Sequence, residues 1–194
     1  MKQKLRIAVA DDDEQMRSYY RQILTDIGHE VIAAAENGQE LVDGCRENRP
    51  DLVITDIQMP DVDGISAVIE ICREEPLPVI LVSAYHDENL LQRAALECIL
   101  AYLIKPIKRH NLETAITLAM QRFRQFQSLH QEANDLRQAL EDRKVIEKAK
   151  GIMMKRAMLD EPTAFRRLQK LASDKNLKLV ALALQIVTAD EAFK

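Results

Sequence analysis

Asp56 closes the apolar run Leu52-Val53-Ile54-Thr55 and is followed by Met59-Pro60 and Asp63-Gly64. Asp11, Asp12 and Asp13 follow a second apolar run from Leu5 to Ala10, and Ser83 and Lys105 each follow another. Taken singly, each has a plain structural use: aspartates cap helices or end strands, and Lys105-Pro106 makes a turn. Their shared position at the ends of apolar runs sets them apart. Asp11, Asp12 and Asp56 crowded together repel one another unless a hard cation sits among them, and oxygen ligands with retained waters suit Mg²⁺. Such a cation also neutralises charge on an incoming phosphoryl group, because phosphoryl transfer depends mostly on positioning and electrostatics. In that setting Asp56 is the nucleophile. Ser83 hydrogen-bonds a phosphoryl oxygen, small Ala84 leaves room for it, and Lys105 supplies a mobile positive charge. Pro106 permits a cis peptide that aims the lysine into the site.

These residues share one cleft only if the runs that carry them are neighbouring strands. Leu5–Ala10, Glu30–Ala34, Asp51–Thr55, Pro78–Val82 and Ala101–Ile104 read as five strands. Amphipathic stretches lie between them at Glu14–Ile27, Gly38–Glu47, Gly64–Arg73 and Glu88–Cys98. This alternation predicts an α/β fold with a doubly wound, five-stranded parallel sheet, whose ligands sit at the carboxyl ends of the strands.

From Lys108 to Leu140 the chain has neither Pro nor Gly. Leu112, Ile116, Ala119, Phe123, Phe126, Leu129, Ala133, Leu136 and Leu140 recur at three- and four-residue spacings, a coiled-coil seam with one stammer. The reading is a long helix that pairs with a second copy of the chain; the alternative is a long amphipathic helix packed on its own chain. The remainder predicts a small three-helix domain. Its first helix continues through Met158, Asp160-Glu161-Pro162 starts a second that carries Ala164, Leu168 and Ala172 with Phe165 in the core, and Leu177–Val187 forms a third. Within that third run Leu179–Leu184 is apolar on all sides, which suits burial in a dimer and would even permit a strand.

The charge is unevenly divided. Through Leu140 there are 15 Lys+Arg against 23 Asp+Glu, a balance of −8, whereas from Glu141 onward 12 face 8, a balance of +4. Two domains with different partners account for this. No segment has the roughly 18 apolar residues of a membrane span, and charge comes too early for a signal peptide, so a cytoplasmic protein without membrane contact is expected. Cys45, Cys72 and Cys98 have neither disulfide-framework nor zinc-ligand spacing and read as reduced thiols.

The positive balance concentrates on the first helix of the small domain. At helical spacing Lys144, Lys148 and Lys155 share a ridge with Gly151, and Arg143 and Lys150 form a second ridge. Gly151 inside a helix costs about 1 kcal/mol relative to Ala, which predicts close approach by a backbone or another helix. Basic ridges beside such a gap suit a phosphate backbone, although a charge run is commonly only a solvated face.

Two resemblances sharpen these expectations. Val9-Ala10-Asp11-Asp12-Asp13, Ile54 to Gly64, Val82-Ser83-Ala84 and Tyr102-Leu103-Ile104-Lys105-Pro106 make the first part resemble the receiver domain of two-component response regulators, with a flavodoxin-like fold. The resemblance implies Mg²⁺ bound by Asp12, Asp56 and the backbone carbonyl of Gln58, with Asp11 acting through water. It also implies a histidine kinase as phosphodonor, and Ser83 and Tyr102 as relays to the receiver's last two helices. Glu97-Cys98 departs from the Gly-Ala pair usual before the fifth strand. Arg143 to Met154, followed by Ala164, Leu168 and Ala172, resembles the ANTAR domain of antitermination regulators, which implies a homodimer that binds RNA stem-loops in nascent transcripts.

The expected organisation is a receiver over 1–124, a coiled-coil linker over 108–140 that overlaps its last helix, and an ANTAR-like module over 136–194. The expected function is phosphorylation-dependent antitermination, with no enzymatic output. The alternative is a receiver-controlled adaptor whose apolar third helix binds another protein without nucleic acid. A DNA-binding output is disfavoured, because no helix-turn-helix with a base-reading helix is evident.

Overall fold

The computed structural model describes residues 4–84 and 98–192. Five strands form one parallel sheet in the order β2-β1-β3-β4-β5: β1 (Arg6–Ala10), β2 (Glu30–Ala35), β3 (Leu52–Asp56), β4 (Val79–Ser83) and β5 (Ile99–Ile104). Three helices connect them: α1 (Glu14–Asp26), α2 (Gly38–Asn48) and α3 (Gly64–Glu74). The expected helix over Glu88–Cys98 and the role given to Glu97 lie largely outside the described residues.

Period-two alternation explains why both sheet faces are apolar. Ala8, Ala10, Val53, Val79 and Leu81 point into a core covered by α2 and α3, through Leu41, Val42, Ile65 and Val68. Their neighbours Ile7, Val9, Leu52, Ile54, Ile80 and Val82 face α1 and the start of α4 (Arg109–Ala157), through Tyr20, Leu24, Leu112 and Ile116. Side chains at the strand ends project past these two layers, where the polar residues collect.

The helix starts follow from local chemistry. Asp13, Asn37 and Asp63 accept hydrogen bonds from the first-turn amides of α1, α2 and α3. Asp160 does the same for α5 (Glu161–Asp174), whose Pro162 stands in the first turn. Helix α4 ends at Ala157, and the next residue, Met158, is held at φ +51°. The last helix is α6 (Leu179–Glu191), so the strand permitted by its apolar alternation does not form.

The chain divides into two compact units, Met1–Gln127 and Ser128–Lys194, and α4 runs through both. In the first unit, Leu112, Ile116, Ala119 and Phe123 of the expected seam are buried in the unit's own interior. In the second, Leu129, Leu136 and Leu140 are 66%, 61% and 60% exposed. The seam is therefore two surfaces: an intramolecular one, and a stripe left open. The second unit is built around Ala149, Leu168, Ala172, Leu182, Ala183 and Val187 of α4, α5 and α6. Phe165 is half-buried and lies outside that core, contrary to expectation. Helix α6 is not engulfed, for Leu184 is 55% exposed. No described helix is long and apolar enough to cross a membrane.

Candidate functional site

The carboxyl ends of β1, β3, β4 and β5 lie side by side and bring Asp11, Asp56, Ser83 and Lys105 together. β3 is in register with β4 through Asp56 opposite Val82, and β4 with β5 through Ser83 opposite Ile104. The Lys105 amide donates to the Ser83 carbonyl at 2.9 Å, and the Ile57 amide to the Val82 carbonyl at 3.0 Å. These bonds hold the first residues past β3 and β5 against the end of β4. The Lys105–Pro106 peptide bond is cis.

Asp11, Asp56 and Ser83 are buried, while Asp12 is exposed. Carboxylate oxygens of Asp11, Asp12 and Asp56 lie within 4.8 Å of one another. The Lys105 ammonium pairs with Asp11 Oδ2 at 2.8 Å and also with Asp56 Oδ2. Burial pushes the Asp11 carboxyl above its ordinary pKa, and the Lys105 bond only partly offsets this. Burial acts against the Lys105 ammonium too, yet its bonds to Asp11 and Asp56 prevail and raise its pKa. Lys105 is thus held charged.

Backbone groups complete the cradle. The Gln58 amide donates to Asp56 Oδ1 at 3.0 Å and the Asp13 amide to Asp11 Oδ1 at 3.1 Å. Gln58 itself is exposed, directly past the strand end, where its carbonyl was expected to serve a metal. Tyr102 pairs with Leu81, two residues before the Ser83 register, and packs partly on the α2–α3 core. It therefore stands along β5 behind the cleft.

Three contributors escaped the sequence reading. Arg17 donates to the Asp11 and Asp12 carbonyls at 2.8 and 3.0 Å, tying the first turn of α1 to the acidic loop. The Thr55 hydroxyl donates to the Asp56 carbonyl at 2.9 Å. Gly64 packs so tightly that an added Cβ would lie 1.9 Å from the Asp56 carbonyl oxygen. The Asp63-Gly64 pair at a helix start was the available signal: Asp for the cap, Gly for the approach.

The cluster has a charge imbalance of its own. Three carboxylates face one ammonium, and two of the three are withdrawn from water. An oxygen-rich, partly buried donor set of this kind fits a hard divalent cation.

The basic residues of the second unit are not equally available. Lys144 pairs with Glu141 at 2.7 Å and Lys148 with Glu191 at 2.6 Å. Lys150 is only 8% exposed and sits between Glu147 and Glu161, at 2.5 and 2.7 Å. Arg143 and Lys155 are exposed, with no acidic partner among the described residues. An added Cβ at Gly151 would meet nothing within 4 Å, so the close neighbour expected there is absent among the described residues. Gly151 marks a shallow place on the surface beside cationic side chains.

Comparison with known proteins gives two family matches. The model of the response regulator receiver domain matches residues 7–117, and that of the ANTAR domain residues 134–187. Both matched domains are regulatory modules. The transcriptional regulatory protein PdtaR of Mycobacterium tuberculosis is 35% identical over 178 residues, which are 92% of this chain and 87% of that one. A protein-glutamate methylesterase/protein-glutamine glutaminase of Haloarcula marismortui is 46% identical, but over 85 residues that cover only 23% of its length. Among solved structures, a response regulator receiver domain protein from Clostridium thermocellum is 30% identical with a TM-score of 0.57, covering 62% of this chain and 98% of that one.

Proposed function

Because the chain belongs to the two-component response regulators, joining a receiver domain to an ANTAR domain, we propose that phosphorylation at Asp56 governs its binding to RNA stem-loops and so prevents transcription termination. Residues 1–124 act as the receiver, 108–140 as the connecting helix and 136–194 as the RNA-binding module. The observation that carries this reading is the convergence of Asp11, Asp56 and Lys105 on one buried cluster, in a chain that also carries the antitermination-type module.

A histidine kinase is the phosphodonor. An Asp56 carboxylate oxygen attacks phosphorus, the bond from phosphorus to the donor imidazole nitrogen breaks, and an acyl phosphate forms. Lys105 turns from the Asp56 carboxylate to a phosphoryl oxygen, and the Ser83 hydroxyl donates to another. Asp11, Asp12, Asp56 and the Gln58 carbonyl are the residues that would hold Mg²⁺. When bound, it supplies positive charge that offsets the phosphoryl oxygens. Tyr102, along β5 behind Ser83, relays the change.

The RNA backbone approaches the open surface at Gly151, met by Arg143, Lys144, Lys148 and Lys155. Lys150, held between two glutamates, orders the surface from beneath. Each phosphate contact steepens the salt dependence of binding by nearly one in log–log slope. Arg143→Glu with Lys155→Glu is therefore expected to weaken stem-loop affinity at least tenfold and lower the salt slope by about 2. Gel-shift titrations across salt concentrations measure both. Unchanged affinity would favour the adaptor reading, in which the exposed side of α6 binds a protein.

The open stripe of Leu129, Leu136 and Leu140 pairs with a second copy of the chain. Leu136→Lys is expected to convert a dimer to a monomer in sedimentation velocity. A parent that is already monomeric with and without a phosphodonor would sink this assignment.

A further inference from the structure

The three cysteines, which the phosphorylation mechanism does not use, cluster in the first unit. Cys45 belongs to α2, Cys72 to the last turns of α3, and Cys98 immediately precedes β5. All three are reduced and contribute to or pack on the same core. Only two share a wall: Cys72 and Cys98 line an apolar pocket of about 510 Å³ with Ile69, Arg73, Pro76 and Phe123.

Within that wall Cys98 is near enough to act on the Cys72 thiol as a hydrogen-bonding neighbour. The Cys72 thiol also lies 3.7 Å from the Leu77 carbonyl, to which it donates. The neighbouring Cys98 thiol draws the Cys72 thiol below its ordinary pKa, against the effect of burial. Cys45 differs in both respects: it is not on this pocket, and burial followed by the charge of Cys72 pushes its thiol up to about 12. A half-buried thiol at a pocket wall with a second sulfur in contact is the arrangement of an attacking cysteine with its resolving partner.

We propose that Cys72 and Cys98 form a peroxide-oxidisable pair that closes to a disulfide between α3 and the start of β5. The Cys72 thiolate attacks one peroxide oxygen, the O–O bond breaks, and sulfenic acid forms, while the released hydroxide takes up the proton the thiol had given up and leaves as water. Cys98 sulfur then attacks the Cys72 sulfur, the S–O bond breaks, and the departing hydroxide takes the Cys98 proton as a second water. Two thiols are oxidised, and one hydrogen peroxide is reduced to two waters.

The test uses the full chain. It is exposed to stoichiometric hydrogen peroxide, remaining thiols are alkylated under denaturing conditions, and trypsin digestion is followed by mass spectrometry without reduction. Cleavage after Arg46, Arg73 and Arg93 puts the three cysteines on separate peptides. The expected result is loss of two alkylatable thiols per chain and one intrachain crosslink joining the Cys72 and Cys98 peptides. That crosslink persists in Cys45→Ser and is lost in Cys98→Ser, which instead accumulates sulfenic acid at Cys72. A crosslink that involves Cys45, a crosslink only between chains, or three unmodified thiols would each overturn the proposal. The parent measurement alone decides the outcome if a serine variant fails to fold.

Discussion

Asp56→Asn is expected to lower phosphoryl incorporation at least about a thousandfold, because it removes the one anionic nucleophile while keeping its shape. The remaining amide oxygen still accepts from the Gln58 N–H, now 3.0 Å from Asp56 Oδ1. Lys105 keeps its pairing with Asp11 at 2.8 Å. The substitution also takes one charge out of a cluster with three carboxylates and one ammonium, so the fold is not weakened through repulsion. Incubation with acetyl phosphate and Mg²⁺, followed by intact-mass measurement, should show the phosphoryl adduct on the parent and none on the variant. Equal adduct on both would move the acceptor to another residue and remove the mechanism proposed for the cluster.

Gly64→Ala is expected to be the most damaging single-methyl change in the first unit. The added Cβ would lie 1.9 Å from the Asp56 carbonyl oxygen and 2.9 Å from Thr55 Oγ1. Backbone cannot yield as a flexible side chain can, so either the start of α3 or the end of β3 must move. Overpacking costs about 1–3 kcal/mol and more in tight places. The upper figure, about 3 kcal/mol, corresponds to a fall in thermal midpoint of about 6–12 °C for a chain of this size. Phosphorylation should fall with it, since the same backbone carries Asp56. Gly151→Ala is the contrasting control, for its Cβ meets nothing and a helix-interior Gly→Ala change stabilises by about 0.5–1 kcal/mol. Stability should rise there while RNA affinity falls, a separation that a purely structural glycine would not produce.

Much of the sheet was legible because its strands are short apolar runs with polar residues at one end. β3 and β4 each run one residue further than the pattern indicated, since Asp56 and Ser83 still hold their registers opposite Val82 and Ile104. The side chains expected to carry the chemistry thus begin within the sheet, held by its registers. Periodicity was less informative about what covers an apolar stripe. It drew one seam from Leu112 to Leu140, where the structure shows a buried stretch and an open one. Charge counts were blind to neutralisation, because Glu147 and Glu161 reach Lys150 only once α4 and α5 are in place. The glycine at 151 signalled a missing side chain correctly but not the neighbour inferred from it. Gly64 was the reverse case: Asp63-Gly64 signalled a capped helix start with room for a close approach, and which group approaches, the Asp56 carbonyl, is visible only in three dimensions.

The central claim is that the chemical state of Asp56 sets the affinity of residues 136–194 for RNA. Stem-loop RNA titrated against the full chain, with and without acetyl phosphate and Mg²⁺, measures this directly when Asp56→Asn is run in parallel. A switch that changes affinity tenfold requires about 1.4 kcal/mol of differential stabilisation between the two states. The account predicts at least that shift for the parent and none for Asp56→Asn. An affinity that ignores the phosphodonor, or a variant that responds as the parent does, would contradict it.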